Sequence, residues 1–139
     1  METENNETFK ITMMTLVNCM NELLPFLKDE KIFEVYINPD GKVWTDGLNG
    51  RQFTEITLNS AQVKQIILNV AALTNQLVIE EKPALDAEIP ENEYFDKCRF
   101  EGNLPSIVLS PNLNIRKHPK KIFTFEDYVK QKILTEIHS

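Results

Sequence analysis

Residues 32–56 read IFEVYINPDGKVWTDGLNGRQFTEI, and this stretch decides the fold class. Phe33, Val35 and Ile37 alternate with Glu34 and Tyr36, the period of a strand with one buried and one wet face. Asn38-Pro39-Asp40-Gly41 follows. Proline presets φ and glycine accepts a positive φ, so the chain turns back here. Lys42–Thr45 (KVWT) is the returning strand of a hairpin. Asp46-Gly47 and Asn49-Gly50 mark a second turn, and Arg51–Ile56 a third strand. Runs of hairpin-linked strands indicate an antiparallel α+β domain rather than βαβ winding.

Helical spacing flanks this meander. On the N-terminal side Phe9, Met13, Leu16, Val17, Met20, Leu23, Leu24 and Leu27 recur one helical turn apart, which predicts an amphipathic helix over 8–28. Pro25 should kink it or begin a separate short helix. Met13, Met14 and Met20 read as gap-filling core, and residues 1–8, all but devoid of apolar side chains, as disordered. After the meander, Asn59 with Gln62 carries a capping-box pattern. Val63, Ile66, Ile67, Val70, Leu73, Leu77 and Val78 then form the stripe of a helix over 60–78. Leu85, Ala87 and Ile89 alternate with Asp86 and Glu88 in a fourth strand. Tyr94–Glu101, Ile107–Leu109 and Leu113–Lys117 are further short strands, and Thr124 with Asp127 caps a last helix. The expectation is one α+β domain over 9–139, a mostly antiparallel sheet flanked by helices.

Composition excludes several classes. The 139 residues match about one domain. Fifteen Lys+Arg against 21 Asp+Glu leave a charge of −6, which argues against generic DNA coating. No apolar run approaches the ~18 residues of a membrane span. The acidic start METENNETFK is not a secretory signal. Two cysteines, Cys19 and Cys98, are too few for a disulfide framework or a four-ligand zinc site, and a reducing cytoplasm is the default compartment. The four glycines stand at 41, 47, 50 and 102. None begins a Gly-x-x-x-x-Gly-Lys-Ser/Thr loop, so the chain carries no phosphate loop and no Rossmann fingerprint.

Four groups of residues invite a chemical reading. Cys98 and His118 make a conceivable nucleophile–base pair, against a buried structural cysteine as the plain alternative. Asp86 and Glu88 share one strand face, either as a carboxylate pair or as a solvated surface. Trp44 sits on a two-strand ribbon as packing or as an interface anchor. Arg99 and Arg116 fall on the polar faces of short strands near turns. A guanidinium fork matches phosphate oxygens, and the plain alternative is an ordinary surface ion pair. Charge also changes sign along the chain. Acidic residues dominate from Glu80 to Glu101, and a basic stretch with Arg116, Lys117, Lys120 and Lys121 follows.

Six pieces in order carry a resemblance: VYINPDGKVW (35–44), SAQVKQIILNVAAL (60–73), KPALDAEIP (82–90), RFEGNLP (99–105), SPNLNIRKHP (110–119) and FTFEDYV (123–129). From about residue 20 onward the chain resembles the N-terminal domain of the conjugal-transfer secretion ATPases, the TrbB-like branch of the type II/IV secretion (traffic) ATPase family. It departs at Pro105-Ser106, where the family usually has Pro-Pro. The resemblance implies a PAS-like sheet of about six strands flanked by helices, ahead of a RecA-like motor domain that is absent from this chain. It implies a homo-hexameric ring in the cytoplasm, with peripheral association at the inner membrane left open. Other secretion or conjugation machinery proteins would be partners, and no sequence-specific nucleic-acid binding is expected. ATP with Mg would bind between the two domains. By the same resemblance Arg99, in RFEG, and Arg116, in NIRK, contact the nucleotide phosphates. The chain alone would hold no catalytic and no metal-binding residue, bind no cofactor tightly and hydrolyse nothing.

Two rival readings remain at this stage. One is a free-standing PAS-like ligand-sensing or protein-interaction module. The other is a small enzyme built on Cys98 or the Asp86/Glu88 pair.

Overall fold

The computed structural model describes residues 2–79, 81–105 and 110–118. In chain order they form α1 (Glu2–Cys19), a 3-10 turn (Asn21–Leu23), α2 (Leu24–Lys28), β1 (Ile32–Ile37), β2 (Lys42–Gly47), β3 (Gln52–Thr57), α3 (Ser60–Leu73), β4 (Ala84–Ile89), β5 (Cys98–Asn103) and β6 (Asn112–Lys117). The strands build one six-stranded sheet in the order β3-β2-β1-β6-β5-β4, every neighbouring pair antiparallel. This is the α+β, PAS-like architecture expected from the hairpin pattern and the resemblance.

The signals that place the elements are local. Asn38–Gly41 closes the β1–β2 hairpin with a 2.8 Å bond from Gly41 N–H to the Asn38 carbonyl. Gly41 adopts φ +85, and a Cβ there would meet the Leu58 carbonyl oxygen at 2.0 Å, so only glycine fits. The capping box forms at α3. The Asn59 side chain accepts from Gln62 N–H at 2.8 Å, and the Gln62 side chain accepts from Asn59 N–H at 2.9 Å. Pro25 stands in the first turn of α2, so the predicted long helix is divided into α1 and a separate short helix.

One face of the sheet carries the core. Val35, Ile37, Val43, Leu85, Ile89, Phe100, Leu113 and Ile115 point from the strands toward Leu16, Met20 and Leu23 and toward Val63, Ile66, Ile67 and Val70 of α3. Gly102 lets α3 approach β5, because a Cβ there would stand 2.9 Å from both Ile67 Cγ1 and Phe100 Cε1.

Several sequence expectations are corrected. The second helix ends at Leu73 rather than residue 78. Asn75 takes φ +55, and Gln76 and Asn75 donate to the Ala71 and Ala72 carbonyls, a Schellman termination that leaves Leu77 74% exposed. The strand predicted over Tyr94–Glu101 begins only at Cys98. Before it, the Asn92 side chain accepts from Tyr94 and Phe95 N–H and holds a turn. Met13 and Met20 are core as expected, but Met14 is 55% exposed on the outer side of α1. The backbone of residues 2–8 continues α1 rather than lying loose, since helix elongation from the formed segment is cheaper than nucleation. The strand expected at residues 107–109, the helix expected from Thr124, and Lys120 and Lys121 lie outside the described residues.

Candidate functional site

The opposite face of the sheet is open and polar, and strand register arranges its side chains in two rows. One row runs Asp46, Glu34, Arg116, Arg99, Glu88 across β2, β1, β6, β5 and β4. The other runs Phe53, Trp44, Tyr36, Asn114, Glu101, Asp86 across all six strands. The two arginines singled out from sequence are therefore direct cross-strand neighbours on one exposed face. Like charges placed opposite each other repel. Glu34 is the register partner of Arg116 and Glu88 that of Arg99, but the carboxylates that pair with Arg99 are Asp86 and Glu101.

The two guanidinium groups are not equivalent. Arg99 Nη2 donates to Asp86 Oδ2 at 2.8 Å, and its Nε lies 3.7 Å from Glu101 Oε1. The Asp86 hydrogen bond, then its charge, holds Arg99 more firmly protonated than usual. Arg116 is exposed and forms no ion pair with a described residue. Glu88 instead takes Lys97 at 3.2 Å and faces the His118 ring at 3.7 Å. The Asp86/Glu88 pair thus serves as counter-charge to cations rather than as two carboxylates converging on one point.

The basic stretch is less uniform than its sequence implies. Lys117 reaches away from Arg116, under α2, where its ammonium donates to the Phe26 and Asp29 carbonyls. It closes the C-terminal end of that helix, and burial pulls its pKa below the ordinary lysine value. Cys98 is 1% exposed, and burial pushes its thiol up to about 12, against the lowering charge of Lys117. A thiol so hard to ionise is a poor nucleophile, and the His118 ring is turned to Glu88, so these residues do not assemble a nucleophile–base pair.

A second cluster on the open face was not legible as such in the sequence. Trp44 is half-buried outside the core, its ring 5.2 Å from that of Phe53. The Arg51 guanidinium lies 4.5 Å over Trp44 and 5.5 Å over Tyr36, and Lys42 lies 5.7 Å over Phe53. The signal was partial: Tyr36 was placed on the wet face with Glu34, but nothing in the turn composition brings Arg51 back over it. A shallow depression of about 670 Å³ lies beside this cluster, lined by Glu34, Tyr36, Asp46, Arg51, Glu101 and Asn114 among others, and neither Arg99 nor Arg116 lines it. Among the described residues no group of three or more His, Cys, Asp or Glu is placed to hold a metal ion, and no helix is long and apolar enough to cross a membrane.

No protein-family model matches the chain. It is 30% identical over 116 residues to the probable conjugal transfer protein TrbB of Sinorhizobium fredii, covering 84% of this chain and 34% of that protein. It is 31% identical over 130 residues to the type IV secretion system protein VirB11 of Bartonella henselae, covering 91% of this chain and 34% of that protein. The crystal structure of the VirB11 ATPase from the Brucella suis type IV secretion system, solved in complex with sulphate, superposes with a TM-score of 0.73. There the identity is 20%, with 95% of this chain and 39% of that one covered. The chain thus spans about a third of the length of the relatives it matches. With the motifs, the sheet order and these relatives in agreement, the chain corresponds to the N-terminal domain of the type IV secretion ATPases of the TrbB and VirB11 type.

Proposed function

We propose that this domain is the non-catalytic half of a nucleotide site in a homo-hexameric conjugal-transfer ATPase, with Arg99 and Arg116 gripping the phosphates opposite a RecA-like motor domain. The observation that carries the reading is the direct cross-strand pairing of Arg99 with Arg116 on the solvent face of the sheet. Two guanidinium forks set side by side on a rigid sheet favour an anion that bridges them, and they match the oxygens of a polyphosphate. Magnesium would come with the nucleotide and be held from the motor side. When bound, the nucleotide supplies the phosphoanhydride that the motor domain cleaves. The arginines of this domain bind and orient its phosphates, and coupling their grip to domain closure is the domain's part in the cycle. The same reading places the ring in the cytoplasm, at the inner-membrane face of a secretion or conjugation machine.

The test uses a protein that carries this domain ahead of its motor domain. Arg99→Ala and Arg116→Ala should each lower ATP turnover by about ten- to a hundredfold, the worth of one charge-assisted hydrogen bond. Both side chains are exposed, so the melting temperature should hardly move. Unchanged turnover in both variants would sink the reading. It would favour instead a protein-interaction module, for which the Arg51–Trp44–Tyr36 cluster speaks.

A further inference from the structure

We infer that Asp86, backed by Glu101, is a latch on Arg99, so that the two arginines engage phosphate in order: Arg116 first, Arg99 only when a more highly charged group displaces the carboxylates. The inference rests on the phosphate reading above and adds its regulation.

The geometry supplies the asymmetry. A guanidinium presents five N–H donors in one plane. On Arg99, Nη2 is committed to Asp86 at 2.8 Å and Nε faces Glu101 at 3.7 Å, so the Nε/Nη2 edge of the fork is turned to carboxylates. Asp86 and Glu101 are themselves cross-strand partners on β4 and β5, so the carboxylates sit side by side and hold the guanidinium over the sheet. Arg116, one strand away, has no described ion-pair partner. Among the described residues, an incoming anion therefore meets one cation without an ion pair and one occupied cation.

Taking Arg99 requires an anion to replace a carboxylate already in hydrogen-bond contact. Both pairs are exposed, so the latch is weak, and the contest turns on charge and on the number of acceptor oxygens. A terminal phosphoryl group with nearly two negative charges and three oxygens competes well, whereas an inner phosphoryl group with a single charge competes poorly. The latch thereby makes Arg99 sensitive to the end of a polyphosphate chain while Arg116 responds to any phosphate.

The experiment titrates the 139-residue chain with tripolyphosphate and, separately, cyclic trimetaphosphate, following the Arg Nε–H signals by two-dimensional NMR. In the wild type the Arg116 signal should move at lower ligand concentration than the Arg99 signal, and tripolyphosphate should move Arg99 more than cyclic trimetaphosphate does, because the ring has no terminal phosphoryl group. Asp86→Asn should bring the two arginines into step and tighten tripolyphosphate about three- to fivefold, the worth of an exposed ion pair. Glu88→Gln removes the same charge from the same strand without touching the guanidinium, and should change affinity less. Equal gains in the Asp86 and Glu88 variants would reduce the effect to general field strength and overturn the latch. So would arginine signals that already move together in the wild type. If Arg116→Ala leaves the affinity unchanged, or neither arginine signal moves at all, the phosphate reading itself falls, and the latch with it.

Discussion

Replacing Gly102 by alanine tests how the helix layer holds the strand that carries Arg99. The added Cβ would stand 2.9 Å from Ile67 Cγ1, 2.9 Å from Phe100 Cε1 and 3.3 Å from Ile67 Cδ1. Ile67 and Phe100 are both fully buried, so neither can swing into solvent to relieve the contact. Overpacking of this kind costs about 1–3 kcal/mol. Removing a flexible glycine from the unfolded chain returns about 0.4–1 kcal/mol. The net expectation is a loss of about 1–2 kcal/mol, or roughly 3–8 °C in melting temperature for a domain of this size. Calorimetry or urea denaturation reads it. The sharper measurement is a double-mutant cycle with Ile67→Ala, which deletes Cγ1 and Cδ1 and opens space beside the new methyl group. The pair should cost less than the sum of the singles by about 1 kcal/mol, the usual scale for residues in contact. A neutral Gly102→Ala, or strict additivity in the cycle, would refute the claim that α3 presses directly on β5.

Two further outcomes follow from buried and stacked groups. Burial in the fold pushes the Cys98 thiol up from its ordinary 9.0 to about 12, so its contribution to stability is complete below about pH 9 and is lost as pH rises toward 12. Each unit of that window is worth at most about 1.4 kcal/mol, so Cys98→Ala should flatten the alkaline fall in stability measured by urea denaturation at several pH values, and an unchanged slope would contradict it. Arg51→Ala uncovers the Trp44 ring, now 4.5 Å beneath the guanidinium, and should red-shift tryptophan emission while costing about 0.5–1 kcal/mol. Trp44 is the chain's single tryptophan, so the spectrum reports this site alone, and unshifted emission would mean the stack is not populated.

Much of the fold was legible because its signals are local. The Asn38–Gly41 turn, the Asn59/Gln62 box and the alternation Leu85-Asp86-Ala87-Glu88-Ile89 each determine structure through neighbours a few residues apart, and each is found where the pattern put it. The misplacements have a local cause too. The apolar pattern extends through Leu77 and Val78, yet Asn75 can adopt a positive φ and end the helix before them. Likewise Tyr94 continues the alternation of β5, but the Asn92 side chain offers its backbone a competing turn. Exposed Met14 marks the limit of apolar periodicity, which reports hydrophobicity and not whether a partner surface exists.

By itself the sequence determined the strand alternation, and with it which side of each strand is polar. Arg99 and Arg116 followed as polar-face residues, and the six ordered motifs indicated the family. Only the tertiary structure decided that β5 and β6 are neighbours in a register that sets Arg99 opposite Arg116. It alone decided that Asp86 from β4 closes on one arginine and not the other, and that Lys117, next to Arg116 in the chain, turns to the far side to close α2. The physical reason is the same in each case. Alternation is an interaction between residues two apart, whereas charge pairing across a sheet depends on strand order and register, which are settled by burial of the shared apolar face.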